Sequence, residues 1–187
     1  MTTRLETERL RLRPWTEADA PALHRWARDP EVGPRAGWEP HASVEESARI
    51  IREVLAVPES YAIVVRERAG EDEPVGAIGL KFGAASDLAR DASEAELGYW
   101  LARPLWGHGY MPEAGRALLA HAFDDLRLER VWAGHYEGNL QSRRVMEKLG
   151  LTKVRTRDAG GRLERVLCVT RAQWGNRAAA GEKNTLP

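Results

Sequence analysis

The chain has 187 residues, with 28 Lys and Arg against 28 Asp and Glu and a single cysteine. The zero balance argues against a dedicated nucleic-acid binder, one cysteine cannot close an internal disulfide, and no apolar run reaches the roughly 20 residues of a membrane helix. With 43% apolar and 30% charged residues, the expectation is one domain with one core and a well-solvated surface. Arg4, Glu6, Glu8 and Arg9 leave no apolar stretch for a signal peptide, which predicts a cytoplasmic protein.

Leu10 and Leu12 alternate with Arg9, Arg11 and Arg13 up to Pro14, the pattern of a half-buried opening strand. Thr16 reads as the N-cap of a helix from Glu17 through Trp26, with Leu23 and Trp26 on one face and Asp29-Pro30 closing it. From Glu31 to His41, Gly33, Pro34, Gly37 and Pro40 surround Trp38, and this punctuation predicts an irregular loop. Ser43 restarts a helix that places Val44, Ala48, Ile51 and Leu55 on one face and stops at Pro58. Strands are predicted at Tyr61 to Arg66 and Pro74 to Phe82, with Glu67 to Glu73 as a hairpin turn.

After a polar loop, a strand from Glu94 to Leu101 leads through glycines into a helix with Gly115, Leu118, Leu119, Ala122, Phe123 and Leu126 on one face. A strand from Arg130 to Tyr136 follows. Asn139 is a candidate N-cap for a short helix that turns Val145, Met146 and Leu149 inward, with Gly150 at its left-handed end. Thr152 to Arg157 and Leu163 to Thr170 complete the pattern, joined through Ala159-Gly160-Gly161. The domain is expected to span 1–176, with 177–187 a disordered tail.

The most informative segment is Trp106-Gly107-His108-Gly109-Tyr110-Met111-Pro112-Glu113, a strand-to-helix connection with two glycines. Glycine lets backbone approach a bulky phosphate, the free amides of a helix N-terminus point at its oxygens, and proline in the first turn removes no needed amide. Alone, Gly-x-Gly is weak and equally fits a plain tight turn. A dinucleotide fingerprint wants a small residue where Pro112 stands, and a P-loop wants Gly-Lys-Ser/Thr, so both nucleotide motifs fail.

Glu96-Leu-Gly-Tyr-Trp-Leu101, Trp106-Gly-His-Gly-Tyr110 with Glu113-Ala114, and Asn139-Leu-Gln-Ser142 through Leu151 together resemble the GCN5-related N-acetyltransferases (GNAT), specifically the RimJ/RimL-type branch. Thr7 through Pro14 is similar to that branch's first strand, so the resemblance extends to about Arg171. It implies a single α/β GNAT-type domain: a mixed, mostly antiparallel twisted sheet of about seven strands, two splayed parallel central strands, and about four helices.

The resemblance also implies an N-acetyltransferase that uses acetyl-CoA as co-substrate and moves its acetyl group to an amine. Backbone near Trp100 and Leu101 would hold the pantetheine arm, and Asn139 its amide region, beside or instead of a capping role. Arg103, Trp106, Gly107, His108, Gly109, Tyr110 and Met111 would form the pyrophosphate loop. Pro104 stands where the family pattern has Gln or Arg. The segment with Arg35, Trp38 and His41 would shape the acceptor side, although Trp38 fits a solvated or core-capping residue nearly as well.

Transfer requires a neutral amine and protonation of the departing thiolate. By resemblance, Glu96 is the candidate base, acting through water, and Ser142 the candidate acid, with Tyr136 as its alternative. A surface carboxylate and an early-helix serine are the plain structural alternatives. An α-amine of pKa about 7.8 costs roughly 1 kcal/mol to deprotonate at pH 7, a lysine of about 10.4 roughly 4.6 kcal/mol. Peptide N-termini and small molecules therefore both stay open as acceptors, as does a non-catalytic acyl-CoA-binding module.

Cys168 on a late strand reads as a small hydrophobe. His24, His41, His108, His121 and His135 are scattered without zinc-ligand spacing, so no metal is expected. No nucleic-acid or membrane partner is expected, and the sequence is compatible with a homodimer. Residues 39 to 96 carry 6 basic and 13 acidic side chains, residues 103 to 157 carry 10 and 6. If folding keeps these segments apart, the basic one suits a phosphorylated donor and the acidic one a cationic amine.

Overall fold

The computed structural model describes residues 3–66 and 72–179. Among these residues are eight strands: β1 (Leu5–Glu6), β2 (Leu10–Pro14), β3 (Ser60–Val65), β4 (Gly76–Lys81), β5 (Glu94–Leu101), β6 (Arg130–Tyr136), β7 (Thr152–Asp158) and β8 (Leu163–Thr170). Six helices accompany them: α1 (Ala20–Ala27), α2 (Gly33–Ala36), α3 (Val44–Ile50), α4 (Tyr110–Ala120), α5 (Leu140–Lys148) and α6 (Arg171–Ala179). The strand order is β1-β2-β3-β4-β5-β6-β8-β7. Ladders β1-β2, β2-β3, β3-β4, β6-β8 and β7-β8 are antiparallel, and β5 with β6 is parallel. The α/β class and mostly antiparallel sheet agree with expectation. Among the described residues the strands number eight against an expected seven or so, and the helices six against about four.

The chain forms two compact units, one from residues up to Leu80 with Gly98–Leu118, the other from Lys81–Leu97 and residues from Leu119 on. In the first, Leu10 and Leu12 of β2 are fully buried opposite Val65 and Ile63 of β3, as their alternation demands. Trp15, Leu23, Ala27, Ile51, Ala62 and Ala77 form a core against which Trp38 and Trp100 pack. Thr16 opens a short 3-10 turn, Glu17–Asp19, before α1, and Asp19 reaches back to the Thr16 amide at 2.9 Å. Ser43 caps α3, its Oγ accepting from the Glu46 amide at 3.1 Å.

The stretch 31–41 departs from the expected irregular loop, because it contains α2. Pro34 lies in its first turn and Gly37, at φ 92°, ends it. The two residues read as breaks are a start and a stop. Trp38 packs against Gly33 so closely that a Cβ there would lie 2.6 Å from its ring. Part of the expected hairpin turn, residues 67–71, lies outside the described residues.

In the second unit, Glu94–Glu96 pair in parallel with Arg130–Trp132, and β6 then pairs with β8 along its whole length. Leu88, Trp132, Val166 and Cys168 cluster on one face, and Met146 of α5 and Leu149, which caps its C-terminal end, are buried. Burial pushes the Cys168 thiol up to about 11, which leaves it neutral and inert, as a packing residue should be. The expected tail began at 177, but α6 continues to Ala179, and residues 180–187 lie outside the described set. Among the described residues, no helix is long and apolar enough to cross a membrane, and no group of three or more His, Cys, Asp or Glu could hold a metal.

Candidate active site

The glycine connection takes the shape its sequence requires. Gly107 and Gly109 sit at φ 85° and 79°, a region L-residues rarely adopt, and a Cβ on Gly107 would meet nothing within 4 Å. The Glu113 amide makes a helical bond to the Gly109 carbonyl at 3.1 Å. Gly107 through Met111 thus lead into the helix end whose amides lack intrahelical acceptors. Open, glycine-shaped backbone running into a helix N-terminus fits a diphosphate.

Contacts around this loop refine the expected contributors. The Trp106 amide already donates to the Arg103 carbonyl at 3.1 Å, and its indole Nε1 donates to the Leu101 carbonyl at 2.7 Å. Trp106 therefore fastens the loop to the end of β5. Arg103 is paired with Asp29 at 2.8 Å. His108 is exposed and stacks on Tyr110 with ring centroids 5.9 Å apart.

Arg9 was legible only as a residue of the opening strand, yet it braces this loop. Its Nη1 donates to the His108 carbonyl at 3.0 Å, its guanidinium lies 4.7 Å from the Tyr110 ring centroid, and its Nε donates to Glu113 at 2.7 Å. Glu113 also accepts from the Thr7 hydroxyl at 2.5 Å and the Arg9 amide at 2.9 Å. Burial alone would raise the Glu113 carboxyl, but these hydrogen bonds and the Arg9 charge hold it below its ordinary value.

The expected acceptor-side residues come together in the same unit. The Trp38 ring lies 5.1 Å from His41 and 6.0 Å, edge-on, from Trp100. Arg35 sits 5.6 Å from the Trp106 ring centroid and pairs with Glu31 at 2.8 Å. His41 is buried and its Nδ1 lies 2.9 Å from Ser47 Oγ. Burial, with lesser contributions from His24 and Arg49, outweighs Glu46 and lowers its pKa, so the ring is neutral near pH 7. Trp100, expected to contribute backbone, is also part of this aromatic wall.

Glu96, Asn139 and Ser142 belong to the other unit. The Glu96 side chain is 13% exposed. One oxygen accepts from the Ser86 hydroxyl and the Asp87 amide, both at 2.9 Å, and the other from Lys81 Nζ at 3.2 Å. A carboxylate offers about four acceptor positions, so three donors fix it and leave about one. Lys81 ends β4, and Ser86 and Asp87 lie in the segment the sequence marked only as a polar loop. Arg162 lies 3.5 Å over the ring of Tyr136, the alternative acid.

Asn139 caps α5, its Oδ1 accepting from the Ser142 amide at 3.1 Å. Asn139→Ala is expected to cost about 1 kcal/mol of stability, whereas Asn139→Asp keeps the acceptor and the cap. Urea unfolding measures this part. If acetyl-CoA affinity drops in Asn139→Asp while stability holds, Asn139 touches the donor as well as capping the helix.

The model of the Acetyltransferase (GNAT) domain matches residues 9–152. This chain belongs to the GNAT family. It is an acetyl-CoA-dependent acyltransferase, and the GNAT match runs through both compact units. It is 31% identical over 151 residues to the uncharacterized N-acetyltransferase YoaA of Bacillus subtilis, covering 80% of this chain and 82% of that protein. A second B. subtilis protein, YdaF, which carries the provisional name of a ribosomal N-acetyltransferase, is 42% identical over 57 residues, 30% of this chain and 31% of its own length. The fold matches that of AAC(6')-Ib, solved in complex with ribostamycin and coenzyme A, with TM-score 0.74 and 20% identity over 90% of this chain and 97% of that one.

Proposed function

We propose that this GNAT enzyme acetylates primary amines by direct attack in a ternary complex and prefers the α-amine of a protein N-terminus. The thioester of acetyl-CoA supplies the activated acetyl group. Amides of Gly107 through Met111 bind the diphosphate, backbone at Trp100 and Leu101 and the Asn139 side chain hold the arm, Glu96 takes the amine proton through water, and Ser142 protonates the departing sulfur.

The observation that carries the α-amine preference is the state of Glu96. With three donors on its carboxylate, about one acceptor position remains for a bridging water. Such limited assistance suits an amine that costs roughly 1 kcal/mol to deprotonate at pH 7 better than one that costs about 4.6 kcal/mol. The similarity to YdaF supports the same class.

Peptides with free N-termini, a polyamine and an aminoglycoside should be offered with acetyl-CoA while thiol release and product mass are followed. Acetylation at peptide α-amines is expected, with internal lysines unmodified. Acetylation confined to the polyamine or the aminoglycoside overturns the α-amine reading in favour of a small-molecule acceptor.

A further inference from the structure

Strand registers place a second charged pair on the face of the sheet that carries Glu96. Glu96 is opposite Trp132 on β6, and the alternation of side chains puts Trp132, Gly134 and Tyr136 on one face. Gly134 pairs with Val166 and Tyr136 with Glu164 on β8, and Glu164 pairs with Arg157 on β7. Glu96, Glu164 and Arg157 therefore share that face.

Glu164 lies down across Gly134, where any Cβ would overlap its carboxylate. One Glu164 oxygen accepts from Arg157 Nε. The rest of the guanidinium reaches the loop that holds Glu96: Nη1 donates to the Asp87 carbonyl at 3.3 Å and Nη2 lies 3.5 Å from Asp87 Oδ2. The Asp87 amide in turn donates to Glu96. Asp87 is thus gripped at its carbonyl and side chain by Arg157 while its N–H fixes Glu96.

We infer that Arg157, set in place by Glu164 in the notch above Gly134, is a positioning residue that orients Glu96 through the Ser86-Asp87 loop. This rests on the reading of Glu96 as the base. The hydrogen bonds of the Arg157 guanidinium go to Glu164 and Asp87 while its charge also attracts Glu96, and its geometry is what is needed: Nε serves Glu164 while both Nη atoms serve Asp87. A lysine supplies the charge without that fork. Gly134 is part of the device because any side chain there displaces Glu164 and frees Arg157 from its fixed orientation.

A double-mutant cycle of Arg157→Gln with Glu96→Gln tests the inference, with kcat as the readout and circular dichroism confirming the fold. Arg157→Gln is expected to lower kcat about tenfold in the otherwise native enzyme, with KM for acetyl-CoA unchanged, and to have almost no effect on kcat where Glu96 is already Gln. Arg157→Lys should recover only a small part of the loss, and Gly134→Ala should reproduce it. Amide exchange at Asp87 should quicken in Arg157→Gln, a readout independent of turnover. Equal kcat losses in both backgrounds, or an unchanged Asp87 exchange rate, would overturn the inference. If instead Glu96→Gln alone leaves kcat unchanged, the reading of Glu96 as base fails, and that failure is seen before Arg157 is altered.

Discussion

Glu96→Gln is expected to lower kcat on a peptide α-amine about 10²-fold at pH 7, within the usual range for loss of a general base. KM for acetyl-CoA should stay near its native value, since glutamine is isosteric and the residue belongs to neither the glycine loop nor the arm contacts assigned above. The amide oxygen can still accept from Ser86 and Asp87, while the charge facing Lys81 is lost, so the fold is expected to persist. The deficit should depend on pH in a defined direction. Below the amine's pKa of about 7.8, a base is needed to remove its proton, and above it the solution supplies neutral amine unaided. The ratio of native to variant kcat should therefore shrink from about 10² at pH 7 to about 10 above pH 8.5, and should be larger for a lysine side chain at every pH. Measured kcat against pH for both enzymes checks this, and identical profiles would leave Glu96 a structural carboxylate held by Lys81, Ser86 and Asp87 with no part in the chemistry.

How far the site could be read in advance follows from the range of its interactions. Gly107, Gly109, Pro112, Asn139 and Gly150 act on their own backbone or on residues within one turn, so each was recognisable where it stood. The same locality fixed β5 and β6 to the residue. α2 was missed because its four residues present no period, and its packing partner Trp38 lies beyond its end. β1 is two residues held by Arg11 and Leu12 across a turn. For α6 a signal did exist: Thr170 and Gln173 form a reciprocal cap, with the Gln173 side chain accepting from the Thr170 amide at 2.9 Å and the Gln173 amide donating to Thr170 Oγ1 at 3.2 Å. The groups that fix Glu96 and the glycine loop were illegible, because Arg157 meets Asp87 across 70 positions and Arg9 meets Glu113 across 104. Such pairs also change the meaning of the charge segregation. Arg130 is bound to Glu94 and Arg157 to Asp87, so basic residues of one segment neutralise acidic residues of the other. A separation along the chain is partly cancelled in the fold.

Loss of the Glu113 carboxylate should damage stability and donor binding together, because one side chain supports both. Glu113→Ala removes the acceptor for the Thr7 hydroxyl, the Arg9 amide and the Arg9 guanidinium. Breaking a fully buried pair from one side costs about 3–5 kcal/mol, and Arg9 at 27% exposure and Glu113 at 10% argue for a smaller figure, about 2–3 kcal/mol. Glu113→Gln should cost less, since an amide oxygen at the Oε1 position still accepts from the Thr7 hydroxyl and the Arg9 amide. The carboxyl is depressed in the folded protein relative to an unfolded value of about 4.3, so its contribution is complete above that value and disappears as pH falls through the folded pKa. Urea unfolding should accordingly show a constant gap between native and Glu113→Gln enzyme from pH 8 to about pH 5.5, closing below about pH 4. Because Arg9 also donates to the His108 carbonyl and covers Tyr110, freeing it should loosen the glycine loop. KM for acetyl-CoA is then expected to rise about tenfold, equivalent to roughly 1.4 kcal/mol, with kcat at saturation changed far less. Arg9→Ala should give the same KM signature. A stability loss in both variants with unchanged KM would reduce Arg9 and Glu113 to a structural clasp and separate the loop's shape from their ion pair.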